Sequence, residues 1–205
     1  MTRRSTFVCA LLLGLTASAV AQTPPSATTP APATTPAVLA PVAQTPRQQL
    51  DALFARLASS QDSDETAGIV AAIDRLHLQS GSDTGDLLMS RAVATMESGN
   101  YPVSLSLLDA IVGLQPAWAE GWNKRATARY LAGDARGAVA DIAQTLSRDP
   151  RHLGALAGLG MILEDTGQRA QALRAYERCL AMAPQWRPIV EAAARLKEAL
   201  AGQPL

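Results

Sequence analysis

Few side chains in this chain of 205 residues have the type and spacing to do chemistry. The two histidines, His77 and His152, fall in different predicted helix pairs, with no other His or Cys at ligand spacing. Zinc sites draw on short-spaced Cys and His pairs, so no metal is expected, and both rings read as partly exposed helix residues. Paired carboxylates could serve as acid and base in glycoside hydrolysis, and Asp83 with Asp86 or Glu164 with Asp165 are the candidates. Helix ends explain them better: the first pair begins a predicted helix, where the dipole favours negative charge, and the second precedes a glycine turn. Gly158-Leu159-Gly160 imitates a nucleotide-binding loop but follows no strand, so together with Gly154 it reads as a stripe where helix backbones approach. No Gly-x-Ser-x-Gly elbow or phosphate-cradling loop is present. No catalytic residue, cofactor or metal is expected, and the chain is read as a non-enzyme.

The elements that carry these residues repeat. Gly99, Gly133 and Gly167 are thirty-four residues apart, and so are Pro116, Pro150 and Pro184. A fixed period of this length marks a helical solenoid, whose units are helix pairs that bury their apolar faces on one another. In the middle unit Trp122 and Ala126 lie on a first helix, Gly133 and Asp134 break it, and Ala138, Ile142 and Leu146 recur on a second. Small residues let helix backbones approach, Gly133 suits a left-handed helix end, and Asp134 can cap the next helix. Pro150 is expected to stop that helix and begin the following one, where its missing donor is harmless. The flanking units repeat the pattern with Leu88, Ala92, Ser104, Leu108 and Val112, and with Leu156, Gly160, Ala172, Tyr176 and Leu180.

Residues 84 to 184 thereby resemble the tetratricopeptide repeat family. Trp122, Ala126, Ala138 and Pro150 match its pattern in the middle unit, as do Gly160, Ala172, Tyr176 and Pro184 in the last; Ser104 and Leu108 depart from it in the first. The resemblance implies an all-α, right-handed solenoid of helical hairpins whose first helices line a concave face. It also implies a protein that binds proteins or peptides. Cys179 occupies a slot where this architecture buries a small residue, so it is expected to pack rather than react.

Two segments flank the repeats. Thr45-Pro46-Arg47-Gln48 carries the residues of a capping box with proline at the first helical position. Leu50, Leu53, Phe54 and Leu57, then Ile69, Ile73 and Leu76, mark a degenerate helix pair over residues 47–82, expected to cap the start of the solenoid. After the repeats of residues 83–184, a helix from Pro188 places Ile189, Ala193, Leu196 and Leu200 on one face and caps the other end.

The N-terminal composition speaks to location. Arg3 and Arg4, an apolar run from Phe7 to Val20, and small residues at Ala19-Val20-Ala21 read as a secretory signal over residues 1–21. That run is shorter than the roughly twenty residues of a membrane-spanning helix, so no stable insertion is expected after cleavage. Residues 22–46 hold Thr, Pro and Ala without charge and are expected to form an unstructured linker. Export to a bacterial periplasm follows. With Cys9 inside the signal, Cys179 alone remains and no intramolecular disulfide is possible. Eighteen basic and eighteen acidic residues balance, which leaves no footprint for nucleic acid.

The expected partner is another protein or a peptide segment, held on the concave row. By the register that row presents Met89, Val93 and Met96, then Asn123, Lys124, Thr127 and Tyr130, then Met161. Adaptable methionines, an amide, a lysine and a phenol suit an extended or helical segment with apolar anchors. Some members of the family clamp a peptide's terminal carboxylate with Lys, Asn and Arg; the matching slots here are Met89, Val93, Lys124, Gly154 and Gly158, so that mode is not expected. The function read from the sequence is an adaptor or assembly factor of the cell envelope. A structural subunit of a larger envelope complex is the alternative, and a small envelope hydrolase a more remote one.

Overall fold

The computed structural model describes residues 44–202, so the expected signal and nearly all of the linker lie outside the described residues. Among the described residues there are nine helices and no strand: α1 (Pro46–Ser59), α2 (Ser63–His77), α3 (Asp83–Glu97), α4 (Tyr101–Leu114), α5 (Ala119–Leu131), α6 (Ala135–Arg148), α7 (Leu153–Asp165), α8 (Arg169–Leu180) and α9 (Arg187–Ala201). This is the all-α solenoid of helical hairpins that the period predicts.

Local chemistry fixes each hairpin. Gly99, Gly133 and Gly167 all take positive φ, between 77° and 89°, a conformation that a Cβ disfavours. Each hands the chain on in the same way: the N–H of the residue after it, Asn100, Asp134 or Gln168, returns to the carbonyl of Thr95, Arg129 or Leu163. That is the wrap-around bond of a glycine-terminated helix. Asp134 then caps α6 through Gly137 N at 2.8 Å. At the other end of each unit the expectation for Pro150 is corrected. It lies in a turn between α6 and α7, and α7 begins three residues later, capped by the His152 ring. The histidine supplies a side-chain acceptor that a proline lacks.

Small residues let the hairpins close. Ala92, Ala126, Ala138 and Ala172 are all at most 1% exposed. Ser104, the departure in the first unit, is also fully buried, and its hydroxyl donates to Ala92 O at 2.9 Å, so a polar group is buried without loss. A Cβ on Gly160 would overlap the Tyr176 ring, whereas one on Gly154 or Gly158 would meet only ordinary van der Waals neighbours. The expected glycine stripe is therefore one required glycine and two dispensable ones. Cys179 packs at 0% exposure in the cluster that α9 completes with Ile189, Ala193 and Leu196, and burial pushes its thiol up to about 12.

First helices approach one another, α3 to α5 and α5 to α7, more closely than second helices do, which places them on the inside of the curve. The helix pair α1–α2 does not cap the start. Its apolar residues Phe54, Leu57, Ile69, Val70 and Ile73 form a core with Leu153 and Ala183, flanked by Met182 and Trp186, all from the third unit and the junction after it. The pair runs along the row of unit junctions: Arg187 donates to Ser63, Arg151 pairs with Asp51 at 2.8 Å, and Trp118 Nε1 donates to His77 O at 2.9 Å. The α1 capping box forms as its sequence predicts, with Thr45 and Gln48 bonded reciprocally.

Candidate functional site

The candidate site is the inner face lined by α3, α5 and α7, bordered on its junction edge by α1–α2. Where α2 ends, the side chains of His77, Glu120 and His152 are buried together, with Asp149 at their edge. His77 and His152 stack with ring centroids 4.3 Å apart and planes 19° from parallel. His152 is 1% exposed; its Nδ1 accepts the Ala155 N–H at 3.2 Å and its Nε2–H donates to Glu120 Oε2 at 2.8 Å. Glu120, 4% exposed, also accepts from Asn123 at 3.1 Å and from Lys124 at 3.1 Å. His77 Nε2 lies 3.2 Å from Asp149 Oδ2 without the alignment of a hydrogen bond, and neither of its ring nitrogens has a hydrogen-bond partner.

The electrostatics follow from these contacts. Burial drives the Glu120 carboxyl upward, but the hydrogen bond from His152 and the Lys124 charge outweigh it and hold the group below its ordinary range. Asp149 is lowered in the same sense, with burial opposed by His77 and the Arg151 backbone N–H. Neutral His152, with its proton on Nε2, satisfies both its partners at once. Ligand atoms of His77, Glu120 and His152 lie within 4.8 Å of one another, yet the stacked rings keep their in-plane lone pairs in separate, nearly parallel planes. Both His152 nitrogens are moreover already engaged. The cluster is built as a lock: hydrogen bonds through Glu120 and His152 join α5 to α7, and the stacked His77 ring brings α2 against them.

This lock corrects the reading of both histidines as partly exposed: their side chains are 8% and 1% exposed, although they do belong to different helix pairs. A signal for half of it is present in the sequence: Ile69, Ile73 and His77 recur every fourth residue, so His77 continues the buried stripe of α2. Its partner across the junction has no such signal, because only the placement of α1–α2 brings His77 to His152.

The residues expected to bind divide into three groups. Met89, at 3% exposure, is core, packed with Ala92, Leu108, Ile111 and Ala128, and is withdrawn from the contact set; Val93 and Met96 lie half-buried against that cluster. Asn123 and Lys124 are committed to Glu120. Thr127, Tyr130 and Met161 remain on the open part of the face, Met161 at 47% exposure, and Leu131, at 47%, joins them although the sequence reading passed it over. Tyr130 OH donates to Asp165, tying the ends of α5 and α7, and this bond raises the phenol's pKa. The acidic pairs are engaged separately: Asp86 accepts from Ser80 N and Oγ, and Glu164 accepts from Tyr176 OH at 3.2 Å.

No family model matches the chain. A TPR repeat-containing protein of Rhizobium etli is 39% identical over 158 residues, 77% of this chain and 78% of that protein. Tetratricopeptide repeat protein 36 of Danio rerio is 28% identical over 100 residues, 47% of this chain and 54% of its own length. Among solved structures, the first TPR of Spaghetti (RPAP3), bound to an HSP90 peptide, superposes with a TM-score of 0.56 at 17% identity, covering 59% of this chain and 96% of that one. The Yersinia enterocolitica type III secretion chaperone SycD, in complex with a peptide of the translocator YopD, gives 0.54 at 18% identity, over 58% and 94%.

Proposed function

The chain belongs to the tetratricopeptide repeat family, and on that premise we propose that it is a non-enzymatic adaptor holding a segment of a partner protein on its inner face. The observation that carries this reading is a face open at one edge and closed at the other. The lock at Glu120 and His152 closes the junction edge, while Thr127, Tyr130, Leu131 and Met161 stay accessible on the later turns of α5 and α7. Exposed methionine and leucine beside a hydroxyl and a phenol suit an amphipathic segment with apolar anchors. Solved relatives of this fold hold peptides, one of HSP90 and one of YopD. Of the slots that match the family's carboxylate clamp, Lys124 alone is basic, and it is paired with Glu120, so the segment held here is recognised by its apolar side chains.

The order of basic, apolar and small residues over positions 3–21 supports export, which makes the adaptor a component of a bacterial periplasm. A photo-reactive amino acid at Thr127 or Met161, in living cells, tests the reading. A defined protein cross-linked there, and lost with Leu131→Asp, is the expected result. Cross-links only from a site on α4 or α6 reject it.

A further inference from the structure

The thirty-four-residue register exposes a face of the first unit that the other two units cover. In α5, Gly121 packs against Ile111 and Val112 of the preceding hairpin and Ala128 is fully buried. In α7 the equivalent residues, Ala155 and Ile162, are 0% and 3% exposed. In α3 the same two slots hold Leu87, 52% exposed, and Ala94, also exposed. Between them, Arg125 of α5 bridges Asp109 and Asp141, while its counterpart Arg91 has no ion pair among the described residues. Beside this face, a cavity of about 330 Å³ opens at the first turn of α3, and the buried Gln115 Oε1 that lines it lacks a hydrogen-bond partner.

We propose that this face of α3 is a docking surface for the C-terminal end of a second copy of the chain, giving head-to-tail association. The surface has the shape that a preceding hairpin of the same repeat fills, so a helical end built on the same period fits it. The chain's own α1–α2 pair is not available, because Leu57 and Ile73 are fully buried in its contact with the third unit. Charge selects the other end of the molecule. Leaving out Asp109, paired with Arg125, and the Lys197–Glu177 pair, residues 83–114 keep one arginine against three carboxylates, and residues 169–201 keep five basic residues against two acidic ones. The outward side of α9 adds an apolar contact in Val190, 40% exposed, next to exposed Ala194. Such a contact is heterologous: each copy keeps one free end, so association continues rather than stopping at a symmetric pair. The inference stands apart from the partner-binding reading, since neither surface uses the inner face.

Sedimentation velocity of the full chain, over a range of concentrations and ionic strengths, tests it with two variants. The wild-type mass average rises with concentration and falls as salt screens the opposed charges. Leu87→Asp and Val190→Asp, each with an unchanged helical circular dichroism spectrum, are each monomeric alone. An equimolar mixture of the two forms a complex of two chains and no larger species, because one variant keeps a sound tail and the other a sound head. A wild type that stays monomeric at every concentration overturns the proposal. So does association that survives either substitution, which would place the contact elsewhere, for example at residues 7–20. A mixture that remains monomeric overturns it as well.

Discussion

Replacing Glu120 by alanine strikes the one carboxylate on which three side chains converge. His152 Nε2–H, in a side chain 1% exposed, loses its only acceptor, and Asn123 and Lys124 lose theirs. Lys124 keeps 27% of its side chain in water and can re-solvate, so the penalty falls chiefly on the imidazole. Stranding a buried donor costs about 1–3 kcal/mol, and breaking a buried charged pair about 3–5 kcal/mol. The environment here is neutral imidazole against carboxylate, which places the loss near 3 kcal/mol. At about 2–4 °C per kcal/mol for a body of this size, the melting midpoint falls by roughly 6–12 °C. Glu120→Gln keeps an acceptor for His152 and loses about half as much, on the order of 1–2 kcal/mol. Thermal melts followed by circular dichroism, with urea titration for the free-energy scale, give the values. A Glu120→Ala variant within about 1 °C of the parent would show that the Glu120–His152 bond does not hold α5 to α7, and would refute the reasoning.

Three further outcomes follow from the same contacts. Glu120 and Asp149 are held below the unfolded values of about 4.3 and 3.9, so their stabilisation is complete above those values and is lost as pH falls through the folded ones; melts between pH 6 and 3, taken here as roughly the window those values imply, should decline more shallowly for Glu120→Gln than for the parent. The Cys179 thiol, buried and raised to about 12, should resist iodoacetamide at neutral pH in the native chain and react once urea unfolds it; equal labelling rates by mass spectrometry would contradict its burial. Gly160→Ala forces a methyl into the Tyr176 ring and should cost about 1–3 kcal/mol, whereas Gly158→Ala should be neutral or stabilising, as urea titration of the pair will show.

Where the repeat is strict, sequence and structure coincide, because each mark has a local cause. Glycines at 99, 133 and 167 are needed for positive φ, and Ala126 and Ala138 for close approach, so a period read from the sequence returns as three hairpins. Pro150 and His152 show the limit of that logic: proline suits a first helical position, but a ring nitrogen that accepts Ala155 N–H caps α7 instead. The helix faces of α1 and α2 were legible and their destination was not. An apolar stripe says that a helix is buried, not on what; Leu153 and Ala183 lie about a hundred residues away and carry no mark of the pairing. The candidate site suffers the same ambiguity. Met89 sits in a concave slot by register but turns into the core, and Asn123 and Lys124 are drawn to Glu120, which is buried against His152.

The central claim is that α1–α2 lies along the junction row and walls one edge of the inner face. Asp51 and Arg151, a hundred residues apart, meet at 2.8 Å only in that arrangement. In an Arg151→Lys variant, a carbodiimide should therefore join residues 51 and 151 by an amide bond with no spacer, and the linked peptide should appear in the digest of the monomeric fraction. Absence of that peptide, in a variant whose helical circular dichroism spectrum and melting midpoint match the parent, would place the pair elsewhere on the solenoid and contradict the account.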